Sequence, residues 1–108
     1  MLLLLLACGP TADSGCGQDP PVDYASFGQG FLLKHCTACH SAQVTGQERQ
    51  GAPAGVDLDT QEAAEALAER IHARVLVPEV PEMPPGGGPD AEELELLSIW
   101  LSCELGVE

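Results

Sequence analysis

The feature that most constrains this chain is the run from Cys36 to His40, which reads C-T-A-C-H. Two thiols separated by two residues and followed directly by a histidine form the C-x-x-C-H pattern of covalent haem attachment. In this pattern each thiol adds to one vinyl group of the haem, and the histidine becomes an axial ligand of the iron. The sequence therefore predicts one covalent haem c held by Cys36, Cys39 and His40.

Two other kinds of site use a C-x-x-C pair. A thioredoxin-type redox dithiol needs a surrounding βαβ pattern, and a zinc site needs a second pair of Cys or His residues at ligand spacing. The sequence shows neither context around Cys36 and Cys39. Haem attachment is therefore the favoured interpretation.

The size and charge of the chain limit its core and its partners. A single domain of 108 residues with four aromatic residues buries a modest core, which a covalent haem would complete. Seventeen acidic against four basic residues give a net charge of −13, which disfavours nucleic acid and anionic membrane surfaces. A basic redox protein is the partner that this charge favours, although the acidity is equally explained by solubility.

The first eight residues, M-L-L-L-L-L-A-C, resemble a bacterial lipoprotein signal. Residues 1–7 are then a signal-like segment, cleavage precedes Cys8, and Cys8 is lipidated. The segment has no Lys or Arg before its leucines, and a plain secretory signal or an incidental apolar start remain alternatives. Either signal places the protein outside the cytoplasm, in the periplasm or on the outer face of a membrane, with Cys8 as the predicted lipid anchor.

Residues 8–22 are rich in Gly, Pro, Asp, Ser and Thr, which predicts a flexible tether before a domain at 23–108. Cys16 lies within this tether, and a thiol outside the cytoplasm usually has a partner. Once Cys8, Cys36 and Cys39 are assigned, the remaining cysteine is Cys103. We expect a disulfide between Cys16 and Cys103; the alternative is two separate thiols, with Cys103 in the core.

An amphipathic helix is predicted from Asp23 to about His35, leading directly into the C-T-A-C-H run. Its apolar face carries Tyr24, Phe27 and Phe31 at spacings of three and four residues. The helix also contains two glycines, at positions 28 and 30, and one of them is expected to mark a close helix crossing. His35 is expected to be a surface histidine.

Two further helices are predicted, at 60 to about 77 and at 91 to about 104. Asp59 is the expected N-cap of the first, with Glu62 as the partner in a capping box. Asp90 and Glu93 have the same relation at the start of the second. Trp100 is expected to lie in the core.

A proline-rich loop at 78–89 carries Met83, the only methionine outside the signal-like segment. A thioether is a weak, soft ligand that binds iron well when it is held in place, and fixed proline φ angles stiffen such a loop. The pattern predicts Met83 as the sixth iron ligand. The alternative is a linker methionine with no role.

Taken together, residues 23 to 106 resemble a class I monohaem c-type cytochrome. The carrying features occur in the family's order: a helix entering C-T-A-C-H, a proline-containing loop, a middle helix, the Met83 loop and a last helix with Trp100. The resemblance implies an all-α fold of about three helices plus loops wrapped around one haem. It also implies axial ligation by His40 and Met83, and a carbonyl of Pro53 as hydrogen-bond partner of His40.

The family implies a one-electron carrier and not an enzyme, because His40 and Met83 together fill the coordination shell of the iron. Two alternatives stay open. One is a haem-based sensor or enzyme subunit in which Met83 dissociates, with His72 as the sole distal candidate. The other is a haem-free structural lipoprotein whose thiols pair with one another.

Overall fold

The computed structural model describes residues 16–17, 19–79, 82–84 and 88–107. Within these ranges the chain is helical and contains no β-strand, which confirms the all-α class. None of the helices in this part of the chain is long and apolar enough to cross a membrane. The predicted signal-like segment at 1–7 and the predicted lipid attachment at Cys8 lie outside the described residues.

The N-terminal helix consists of a π-helical segment, Tyr24–Gly28, continued by an α-helical segment, Gln29–His35. Asp23 and Ser26 form a reciprocal capping box at its start. The Asp23 carboxylate accepts from the Ser26 N–H at 2.8 Å, and the Ser26 hydroxyl accepts from the Asp23 N–H at 3.0 Å. The predicted bounds of this helix are thereby confirmed.

The middle helix comprises Gln61–Ala66 and Ala68–Ile71 and ends in a π-helical segment, His72–Leu76. Its N-cap is Thr60, whose hydroxyl accepts from the Ala63 N–H at 3.1 Å. The prediction that Asp59 is the cap is therefore wrong by one residue. The Asp59 carboxylate instead accepts from the backbone N–H of Ala42 at 2.7 Å, which ties the preceding loop to the helix start.

The C-terminal helix comprises Ala91–Ile99 and a π-helical segment, Trp100–Glu104. The predicted capping box is present, with the Asp90 carboxylate 2.8 Å from the Glu93 N–H and the Glu93 carboxylate 3.0 Å from the Asp90 N–H. The N–H groups of Asp90 and Glu93, which have no carbonyl partner within the helix, are thereby both hydrogen-bonded.

The core contains buried residues of all three helices, and Trp100 lies in it where the N-terminal and C-terminal helices cross. Trp100 is only 1% exposed, which confirms its predicted place in the core, and a Cβ added to Gly28 would lie 2.5 to 2.8 Å from its indole ring. Gly28 is therefore the close crossing point that the sequence predicted. The other fully buried large side chains are Leu32, Leu97 and Leu101.

Cys16 and Cys103 are joined by a disulfide, with their Cα atoms 5.6 Å apart. The sequence left two possibilities for these cysteines, a disulfide or two separate thiols, and the structure has the disulfide. Val22 also packs against the core. The predicted tether is therefore attached to the last helix through Cys16, in its middle.

Candidate haem-attachment site

A cavity of about 300 Å³ opens beside the end of the N-terminal helix. It brings together every residue that the sequence predicted to attach or ligate a haem. It is lined by His35, Cys36, Ala38, Cys39, His40, Arg49, Gln50, Gly51, Ala52, Pro53, Met83 and Pro84. The cavity therefore brings residues 36–40 close to Met83, although they are distant from it in the sequence.

A tight turn directly after the helix positions the attachment residues. The Cys36 N–H donates to the Leu32 carbonyl at 2.8 Å, and the Cys36 carbonyl accepts from the N–H groups of Cys39 and His40 at 3.2 and 2.9 Å. Both thiols are free and half-buried. Burial raises the pKa of the Cys36 thiol to about 11, so this thiol is neutral at physiological pH.

The ring of His40 is fixed by a backbone carbonyl. Its Nδ1 lies 2.9 Å from the Val56 carbonyl oxygen, and the His40 carbonyl accepts from the Leu58 N–H at 2.8 Å. Because a carbonyl can only accept, Nδ1 carries the proton, and the lone pair of the neutral ring is on Nε2. Nε2 has no hydrogen-bond partner among the described residues, as a metal-ligating nitrogen requires.

The predicted role of Pro53 as carbonyl partner of His40 is wrong, because Val56 fills that role. The Pro53 carbonyl accepts from Arg49 Nη2 at 2.7 Å and from the Val56 N–H at 3.2 Å. Its oxygen is thus used inside the loop, and the turn that it closes presents the carbonyl of Val56, three residues later, to the histidine. Pro53 still lines the cavity.

Arg49 is the site residue that sequence reasoning missed. It ends a 3₁₀-helix, Gly46–Arg49, and its side chain is only 9% exposed. The fork of guanidinium donors satisfies five backbone carbonyls of the loop, those of Ser41, Val44, Ala52, Pro53 and Val56, at 2.7 to 3.2 Å. Its one ion-pair partner among the described residues is Asp57, whose Oδ1 lies 2.9 Å from Nη1.

Met83 is held at the cavity by the end of the middle helix. The N–H groups of Glu82 and Met83 both donate to the Arg74 carbonyl, at 2.9 and 3.3 Å. The Arg74 and Glu82 side chains form an exposed ion pair at 3.0 Å. Met83 itself is 38% exposed, so the residue borders both the cavity and solvent.

His35 is not the surface histidine that the sequence predicted. Its side chain is only 7% exposed, its ring centroid lies 4.9 Å from that of Phe31, and its Nε2 lies 3.2 Å from the Glu93 carboxylate. The residue before the first cysteine therefore forms part of the cavity wall and joins the N-terminal helix to the C-terminal helix.

The donor set fits a haem c. Two free thiols, a histidine with its Nδ1 anchored, and a thioether line one cavity, so Cys36 and Cys39 would attach the group and His40 and Met83 would ligate its iron. His72, the alternative distal candidate, is half-buried in the middle helix and is not among the described residues that line the cavity. Comparison of this chain with protein families, with curated proteins and with solved structures found no match.

Proposed function

We propose that this protein is an electron carrier that transfers single electrons through a covalent haem c attached to Cys36 and Cys39. The observation that supports it most is the single cavity lined by both thiols, His40 and Met83. When bound, the haem supplies a reversible Fe(III)/Fe(II) couple. The three helices and their loops would then surround one haem, as in class I c-type cytochromes.

The chain's own residues would orient and ligate the iron of the haem. The hydrogen bond from His40 Nδ1 to Val56 fixes the ring and raises its basicity as a ligand. Met83 would complete the coordination shell, and methionine ligation raises the reduction potential. A filled shell leaves no position for a substrate, so the proposed role is not enzymatic.

The environment of Cys36 supports attachment over redox chemistry at the dithiol. Redox dithiols act through a thiolate whose pKa is lowered by helix ends or neighbouring cations. Burial instead raises the pKa of Cys36 to about 11. A half-buried neutral thiol beside a cavity fits a covalent attachment point better than it fits a thiol-exchange centre.

The proposed location is outside the cytoplasm, with a lipid anchor at Cys8. The disulfide between Cys16 and Cys103 supports this location because disulfides persist in oxidising compartments. The proposed partner is a basic redox protein, since a net charge of −13 accelerates encounter with an oppositely charged surface.

The function is tested by the absorption spectrum of the full chain made in a host with haem-attachment machinery. We expect a covalent haem with a sulfur-to-iron charge-transfer band. The Met83→Ala variant should lose that band, bind carbon monoxide and have a lower reduction potential, because the soft sixth ligand is gone. Val77→Ala, a change at an exposed apolar residue, is the control and should leave the spectrum unchanged.

The exposure of Met83 is the observation that favours a competing function, that of a haem-based sensor. Met83 is 38% exposed, so its loop side is open to solvent, and dissociation of this methionine would open the iron for a haem-based sensor. Rapid binding of carbon monoxide by the wild-type protein, without the charge-transfer band, would favour that function. A protein that attaches no haem would contradict both and favour a structural lipoprotein.

A further inference from the structure

One carbonyl oxygen connects the cavity's histidine to the buried arginine. The Val56 oxygen accepts from His40 Nδ1 at 2.9 Å and from Arg49 Nη2 at 3.2 Å. A carbonyl has two lone pairs and can serve both donors. The charge of Arg49 therefore acts on the same atom that sets the basicity of His40.

Among the described residues, Asp57 is the only carboxylate that forms an ion pair with Arg49, and the charge of Arg49 also acts on the more distant Asp59. Five contacts of Arg49 are to neutral carbonyls, and the sixth is to Oδ1 of Asp57 at 2.9 Å. That oxygen is buried and, despite its proximity, is not oriented to accept a hydrogen bond from the described residues. The loop fold thus holds the two charges close together without a hydrogen bond between them. A substitution can therefore remove either charge separately.

We propose that Arg49 is a positioning residue that raises the reduction potential of the site through the shared Val56 carbonyl, and that Asp57 opposes it. This inference deepens the proposed function and rests on it. A cation on the Val56 oxygen makes it a weaker acceptor, so His40 is less basic and stabilises Fe(III) less. The positive charge also favours the reduced iron directly, because charges interact strongly in a partly buried site.

The test is potentiometric titration of the haem-loaded full chain and three variants. Asp57→Asn should raise the potential, and Arg49→Met should lower it. Each change should shift the ferric-to-ferrous ratio by up to about tenfold, which is about 59 mV for a one-electron couple. Arg49→Lys keeps the charge and should restore most of the shift caused by Arg49→Met.

The potential shifts of Asp57→Asn and Arg49→Met should have opposite signs. This distinguishes an electrostatic role from a structural one, because damage to the loop would shift the potential of both variants in the same direction. Glu65→Gln, which removes one negative charge at an exposed helix position, is the matched control for Asp57→Asn and should leave the potential unchanged. The Nδ1 proton of His40, followed by NMR, should move to lower field in Arg49→Met, because its bond to Val56 strengthens.

The outcomes are distinguishable. If Arg49→Met does not fold, Asp57→Asn and Arg49→Lys decide the question. A covalent haem whose potential is the same in the wild type and in Asp57→Asn overturns this inference and leaves the proposed function intact. A wild-type protein without covalent haem overturns both.

Discussion

At the scale of single residues, two glycines of the N-terminal helix have opposite surroundings. A Cβ at Gly28 would lie 2.5 to 2.8 Å from the Trp100 ring, whereas a Cβ at Gly30 would meet no atom within 4 Å. Gly28→Ala should therefore destabilise the fold by about 1–3 kcal/mol through overpacking. Gly30→Ala should be neutral or stabilising by up to about 1 kcal/mol, because alanine favours helix.

Denaturant unfolding followed by Trp100 fluorescence measures both glycine variants. The two substitutions add the same methyl group to the same helix, so Gly30→Ala is a matched control for any general effect on helix formation. Equal midpoints for the two variants would show that the crossing at Gly28 is not closely packed.

The residues of the candidate site were predictable from the sequence, but most of their partners were not. Side-chain chemistry and spacing predicted Cys36, Cys39 and His40, and the structure places them on one cavity with Met83. The partner of His40 is a backbone carbonyl, and any residue type can provide one. The sequence therefore contains no signal that separates Pro53 from Val56.

The role of Arg49 was hidden for the same physical reason. Five of its partners are backbone carbonyls, and a backbone carbonyl leaves no pattern of charged residues in the sequence that would indicate the role of Arg49. In the part of the chain that the structure describes, Asp57, eight residues later, is the only residue that forms an ion pair with it. A lone arginine in a loop rich in Gly and Pro is indistinguishable from an exposed one until the loop is folded.

At the scale of secondary-structure elements, Glu93 joins two helices. One carboxylate oxygen caps the C-terminal helix at the Asp90 N–H, and the other lies 3.0 Å from Lys34 Nζ and 3.2 Å from His35 Nε2. The Asp90 N–H, followed by Lys34 and His35, lowers the pKa of Glu93 from 4.5 to about 2. The ionised carboxylate is thus favoured by folding.

The lowered pKa of Glu93 predicts a pH dependence of stability. Its stabilising contribution is fully present above about pH 4.5, the value of the unfolded chain, and is lost as the pH falls towards about 2. Glu93→Gln keeps a side chain that can cap the helix but removes the charge. The free energy of unfolding should be lower in Glu93→Gln at pH 5, and the difference from wild type should shrink between pH 4.5 and pH 2.

Urea unfolding of both proteins across this range tests the prediction. The pKa values of Asp23 and Asp59 are also lowered by backbone N–H donors, and these groups contribute equally to both proteins. Comparing the two proteins at each pH therefore isolates Glu93. A difference that stays constant down to pH 2 would contradict the prediction.

The three helices were predictable because each has a cap and a clear apolar period. The capping box of Asp90 and Glu93 was located correctly from its spacing alone. The error at Asp59 arose because two adjacent residues, Asp59 and Thr60, are both good caps, and a tertiary contact to Ala42 decides between them. The π-helical segments had no sequence signal.

At the scale of the whole molecule, the disulfide connects residues 87 positions apart. It joins Cys16, in the middle of the predicted tether, to the last helix, so nearly the entire described chain lies within one covalent loop. Elimination among five cysteines suggested the pair, but only the folded chain brings the two Cα atoms within bonding range.

A loop of this length predicts that the disulfide contributes to stability chiefly by restricting the unfolded chain. In the chain-entropy description the contribution is about 4.6 kcal/mol, and native disulfides of small domains commonly contribute about 2–5 kcal/mol. Replacing Cys16 and Cys103 together by serine should lower the free energy of unfolding by that amount. Dithiothreitol should destabilise the wild type in the same way and leave the double variant unaffected, since Cys36 and Cys39 remain in both proteins. Equal stability of the two proteins without reductant would contradict this contribution and would mean that noncovalent contacts such as the helix crossing at Trp100 suffice to hold the fold.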